Sequence, residues 1–218
     1  MSEYATLVAD PPWRFGNTAT RAAANDHYET LTRGEIVEFK VDGRHVSEWM
    51  KDAAHLYLWC PSVLLHEGLD VMRSWSFEFK QTLIWVKTRG PKIPNLLPCR
   101  SLGDAQTWLK SLARGGQLNS IQIGLGNYFR HAHEVVLFGT RGKCKAHVHN
   151  LPTVFFAPRG RHSAKPEALQ DMAELLSPGP RLELFARRHR PGWICRGREL
   201  DGCGRLDNLG YGRAYDIK

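Results

Sequence analysis

Short apolar runs alternate with amphipathic stretches along this chain, and the alternation predicts the elements of an α/β fold. Residues 5–9 (ATLVA) read as a first strand, buried on both faces. Thr32 and Glu35 have the spacing of a capping box that opens a short helix running through Phe39. His55–Cys60 (HLYLWC) predicts a second strand, and Ser62–Trp75 the helix after it, with Ser62 as its cap. Gln81–Lys87, Glu134–Thr140 and Thr153–Ala157 are three further strands, the second closed by Gly139 and Gly142. Across Lys165–Ser177, Leu169, Met172, Ala173 and Leu176 recur at i, i+3, i+4 and i+7, which gives one apolar stripe to lay on a sheet. Ser177-Pro178-Gly179-Pro180 ends that helix, and Leu182–Ala186 (LELFA) follows as a strand with a polar residue inside it. Strands alternating with helices predict a mostly parallel central sheet with helices on both faces. The unit from Lys165 to Ala186 is the stretch best suited to frame a small-molecule cleft, because open α/β sheets bind ligands at strand carboxyl ends.

Two stretches break the pattern. Residues 14–30 are small and polar, the composition of a mobile loop, and residues 89–122 form an irregular insertion between two strands. With no repeat in view, 218 residues suit a single domain over 1–218. The chain is 42% hydrophobic and 24% charged, with no apolar run near the roughly 20 residues that span a bilayer and no leader-like start. Five cysteines, without a C-x-x-C pair, argue against a disulfide framework. A cytoplasmic protein is expected.

The formal charge of +8 favours a polyanionic partner, and arginines crowd the last third of the chain. Against that background the turn after the first strand stands out: Asp10-Pro11-Pro12-Trp13. An ionised carboxylate accepts hydrogen bonds from an exocyclic amino group. Pro11 stiffens the backbone and leaves its carbonyl to accept another. Trp13 offers a ring face on which a base stacks. The bland alternative is a strand that ends in a proline-rich turn.

Read with the tetrapeptide, seven further stretches make the chain resemble the DPPW-signature N6-adenine methyltransferases, relatives of the catalytic subunit of the eukaryotic messenger-RNA adenosine methyltransferase. They are HYETL (27–31), LYLWC (56–60), LIWVKT (83–88), IGLGNYFRHAHEVVLFGTRG (123–142), RHSAKPE (161–167), LSPGPRLELFARRHRPGW (176–193) and GRELDG (197–202). The resemblance implies a Rossmann-like fold and S-adenosyl-L-methionine as methyl donor. It carries the catalytic positions onto Asp10, Pro11, Pro12 and Trp13. Tyr28, Glu134 and Lys165 fall on acceptor-side positions. Cofactor contacts fall on Asp10, Pro11, Lys165, Glu183, Phe185, Arg187 and His189, and on Arg198 and Glu199 at the family's last motif. The chain departs from the family at Arg190, where many members have Asn, and at Gly197-Arg198-Glu199, which replaces G-N-Q. Only Met1–Tyr4 precede the first strand, so the Gly197–Asn208 tail is expected to hold the donor's adenine.

The resemblance implies methylation of adenine N6, and because the compact chain fits a member from a bacterium or a phage-infected host better, DNA is the expected substrate, on an unpaired or flipped base. The same reaction on RNA, or a non-catalytic nucleic-acid-binding partner subunit, are the alternatives. Either a monomer or a homodimer fits, and a partner subunit is possible. Cys144, His147 and His149, with His131 and His133 nearby, look faintly metal-like, but structural zinc needs recognisable ligand pairs, and no metal is expected. The seven tryptophans are read as core, except Trp13.

Overall fold

The computed structural model describes residues 3–14, 30–88, 121–124, 128–160, 164–197 and 200. The loop expected at 14–30 and the insertion at 89–122 thus lie outside the described residues, apart from Arg14, Thr30, Ile121 and Gln122. Seven strands hydrogen-bond in the order β7-β5-β6-β4-β1-β8-β9: β1 (Tyr4–Ala9), β4 (Met50–Cys60), β5 (Glu78–Thr88), β6 (His133–Arg141), β7 (Val154–Pro158), β8 (Arg181–Leu184) and β9 (Trp193–Arg196). The pairs β1–β4, β1–β8, β8–β9 and β5–β7 are parallel. β6 runs opposite to β5: the Lys87 N–H donates to the Ala132 carbonyl (2.9 Å), which sets the end of β5 beside the start of β6. This is the mostly parallel α/β sheet of a Rossmann-like methyltransferase fold. The chain divides into two compact units, Met1–Gln81 with Leu137–Cys144 and Gly179–Lys218, and Thr82–Val136 with Lys145–Pro178.

In the first unit, β1 is buried at all six positions, as a central parallel strand covered on both faces must be. The inner half of β4, Ala54–Cys60, is buried as well. Its histidine, His55, is 1% exposed, with its ring nitrogen 3.3 Å from the Cys144 carbonyl and its ring edge-on to Phe138. The capping box forms as read: Glu35 N–H donates to Thr32 Oγ1, and Thr32 N–H to Glu35 Oε2 at 2.7 Å, opening α1 (Arg33–Val37). A small hairpin, β2 (Lys40–Val41) and β3 (Arg44–His45), and a one-turn helix α2 (Val46–Trp49) follow. Strands of two residues carry no readable alternation, so the sequence did not announce them. Beyond β4 the chain makes a 3₁₀ turn (Ser62–Leu64) before α3 (Leu65–Ser74). No side chain caps either start, so Ser62 is not the cap expected of it; the proline before it sets the entry instead.

The second unit is built on β5 and β7. Trp85 is 1% exposed and its indole N–H donates to the Ala157 carbonyl (2.9 Å), tying one strand to the other. The amphipathic helix forms as α4 (Ala168–Leu176), with Leu169, Met172 and Ala173 buried. It starts three residues later than the pattern suggested, which leaves Lys165 and Pro166 in the connection before it.

Candidate active site

Four parallel strands of the first unit end side by side. Ala9 is in register with Leu58 and Leu184, and Leu184 with Arg196, so Asp10, Phe185 and Gly197 are neighbouring strand exits beside Trp59. Carboxyl edges of parallel sheets are where such folds place ligands. Asp10 is half-buried, and its N–H points at the Leu184 carbonyl (3.4 Å). The Trp13 N–H donates to the Pro11 carbonyl (2.8 Å), closing a three-residue turn centred on Pro12, whose ring holds φ where that turn needs it. Pro11's oxygen keeps a second lone pair for another donor. The Leu31 N–H donates to Pro12 (2.7 Å), and the Arg14 N–H to Leu31 (2.9 Å), so the chain re-enters against the tetrapeptide.

Trp13 corrects the sequence reading. It is 5% exposed, and its indole N–H donates to the Trp59 carbonyl (2.9 Å). The ring belongs to the core and offers no open face for stacking. Its large apolar surface gains more from burial than from solvent, and the one polar atom finds a backbone acceptor. Its role is to fix the turn that presents Asp10 and Pro11.

Glu183 is half-buried inside β8, and Phe185 ends that strand at φ +62. A left-handed conformation at a bulky residue costs on the order of 1–3 kcal/mol and concentrates at functional positions. The Phe185 ring is 7% exposed and lies 4.7 Å from Phe39, so what this residue presents outward is backbone. Arg187 is half-buried and His189 exposed in the connection to β9. Gly197 packs directly on the Ala186 backbone: a Cβ there would run into the Ala186 oxygen, nitrogen and carbonyl carbon. Tyr28, Arg198 and Glu199 lie outside the described residues.

The second unit holds a charge cluster of its own. Glu134 receives Lys87 Nζ on one carboxylate oxygen at 2.6 Å and Lys165 Nζ on the other at 3.2 Å. All three side chains are largely covered, at 33%, 17% and 20% exposure. Burial is the largest single influence on the Glu134 carboxyl and pushes its pKa up. The Lys165 charge, together with the Lys87 hydrogen bond and charge, outweighs it and holds the group below the ordinary value. Lys87 is the residue that sequence reasoning missed. Its only signal was an unpaired-looking charge at the end of an otherwise apolar strand.

Among the described residues no group of three or more His, Cys, Asp or Glu side chains is placed to hold a metal ion. Cys60, buried at the end of β4, is pushed up to about 12 by burial first and by Glu67 next, so it remains a thiol.

A parallel α/β sheet that presents a carboxylate and a proline carbonyl at its carboxyl edge defines a protein of the Rossmann-like methyltransferase class. The MT-A70 family profile matches residues 4–96 and 101–199, and the chain belongs to that family. It is 28% identical over 211 residues to the N(6)-adenosine-methyltransferase catalytic subunit METTL3 of Homo sapiens, covering 95% of this chain and 30% of that protein. It is 25% identical over 213 residues to the N(6)-adenosine-methyltransferase MT-A70-like of Arabidopsis thaliana, covering 96% of this chain and 25% of that protein. The type II methyltransferase M.MunI of Mycoplasma sp is 23% identical over 214 residues, with 91% of this chain and 78% of that protein covered. The chain therefore spans less than a third of the two eukaryotic relatives and most of the Mycoplasma one.

Proposed function

We propose that this chain transfers a methyl group from S-adenosyl-L-methionine to the N6 amine of adenine in DNA, the base being unpaired or flipped. The observation that carries the reading is the Asp10-Pro11 turn at the carboxyl edge of the sheet, intact in a member of the MT-A70 family. The amine of adenine is a poor nucleophile because its lone pair is delocalised into the ring. Asp10 accepts one amino hydrogen on its carboxylate and Pro11 the other on its carbonyl, which favours a pyramidal nitrogen with the lone pair directed away from both. Fixed acceptors of this kind are worth about 3–4 kcal/mol each at well-built sites.

Two residues of the first unit suit S-adenosyl-L-methionine: Asp10 and Glu183 supply negative charge for its cationic groups, while the family resemblance assigns Lys165 to its carboxylate. Arg187 and His189 supply further donors, and the backbone at Phe185 a polar edge. When bound, it supplies an electrophilic methyl group on a sulfonium. No covalent intermediate on the protein is required. Glu134 holds Lys165 in place, and the family resemblance assigns it to the acceptor side.

DNA is supported by the match to M.MunI over most of that protein. RNA is the second reading, favoured by the higher identity to the N(6)-adenosine-methyltransferases. The deciding experiment incubates the protein with labelled donor and paired DNA and RNA oligonucleotides, then digests the products to nucleosides. N6-methyladenine in DNA is expected. Its appearance only in RNA selects the second reading, and its absence from both, with or without lysate, leaves a non-catalytic binding subunit. Loose or very short sequence specificity is expected, and a required motif of about six bases or more overturns that, since each base read needs its own contacts.

A further inference from the structure

The most exposed aromatic side chains among those described are two neighbours, Tyr128 at 96% and Phe129 at 86%, with Ile123 at 57% close by in sequence. They do not sit on a fraying end. The Gln122 N–H donates to the Lys87 carbonyl (2.9 Å), the Lys87 N–H to the Ala132 carbonyl (2.9 Å), and the Gly124 N–H to the His131 carbonyl (2.7 Å). Both ends of the stretch are thus pinned to the last residues of β5, and the two rings are held out from that base. Arg130, His131 and His133 beside them are exposed, and residues 121–133 contain no Asp or Glu. The anchoring residue is Lys87, which also carries the ion pair to Glu134.

We infer that Tyr128 and Phe129 form a stacking platform for single-stranded nucleic acid, with Arg130 meeting its phosphates. The inference rests on the nucleic-acid reading above and extends it to a second contact, carried by the second unit. Base stacking on an aromatic ring is tolerant of sequence, and an adjacent guanidinium supplies the backbone contact that such sites combine with it. An interface for another protein is the competing use of two exposed rings. The basic neighbourhood, whose nearest acid in sequence, Glu134, is paired with Lys87 and Lys165, favours the polyanion in a chain of net charge +8.

The test is fluorescence anisotropy of a labelled single-stranded oligonucleotide against the wild type and Tyr128→Ala, Phe129→Ala, Phe129→Leu and Phe129→Trp. Each alanine variant is expected to bind roughly tenfold or more weakly. Phe129→Leu, which keeps apolar area and loses the ring face, is expected to behave like the alanine variant, and Phe129→Trp like the wild type. S-adenosyl-L-methionine binding, measured by calorimetry, and the melting temperature are expected to stay unchanged. Variants that bind as the wild type does, or a full rescue by leucine, overturn the platform while leaving methylation standing. A change of oligomeric state in sedimentation at unchanged oligonucleotide affinity assigns the rings to a protein interface and overturns it too. A wild type that neither binds nor methylates any oligonucleotide removes the underlying reading and the platform together.

Discussion

The tetrapeptide turn and the lysine–glutamate cluster are built on opposite plans. At the turn, backbone groups and one buried indole hold a carboxylate in place, and the side chains that matter are consecutive in sequence. In the cluster, three side chains from β5, β6 and the connection before α4 hold one another by charge. The first arrangement is fixed by packing and by backbone hydrogen bonds. The second depends on protonation and on each partner being present. Rigidity and tunability are thus divided between two regions of the same chain.

The largest break in that contrast is expected from Trp13→Ala. Emptying a buried indole site costs about 3–5 kcal/mol, read as a drop in chemical-denaturation stability, and activity falls with it because the turn loses its anchor. Asp10→Ala is expected to lower the methyl-transfer rate by about two to three orders of magnitude, to weaken donor binding far less, and to leave the melting temperature unchanged. A variant with near-native turnover removes Asp10 from the mechanism.

Glu134→Gln leaves two ammonium groups around a neutral amide. A loss of about 1–3 kcal/mol is expected, below the range for a fully buried pair because the carboxylate is one-third exposed. That difference should depend on pH in a defined direction. The Glu134 pKa is lowered in the folded state, so its contribution is complete above the ordinary value of 4.5 and is lost as pH falls through the lower folded value. The gap in melting temperature between wild type and Glu134→Gln should therefore close below pH 4.5. A gap that widens on acidification contradicts the cluster's charge assignment. Lys87→Met should cost least, about 1 kcal/mol or less, since Glu134 keeps Lys165 and the methionine stem preserves packing.

The same division explains what could be read in advance. The tetrapeptide, the capping box at Thr32 and Glu35 and the stripe of α4 are local patterns, and the chain announces them over a few residues. The first residues of β4 escaped notice because Lys51, Asp52 and Ala53 are exposed, which masks a strand that starts at Met50. Trp13 was assigned by its company in a motif, whereas its place is decided by the Trp59 carbonyl across the sheet. Lys87 was invisible for a related reason: its partners Glu134 and Lys165 lie on other elements, and no spacing rule links them.

Gly197 has a practical corollary for anyone redesigning this scaffold. With Ala186 pressed against it, the position is a gauge that admits hydrogen and nothing larger. A saturation library at this codon should return glycine alone among soluble clones, whereas randomising the exposed Ile194 nearby should be widely tolerated. Fusions, tags or grafted segments are best joined downstream of that gauge, leaving it untouched.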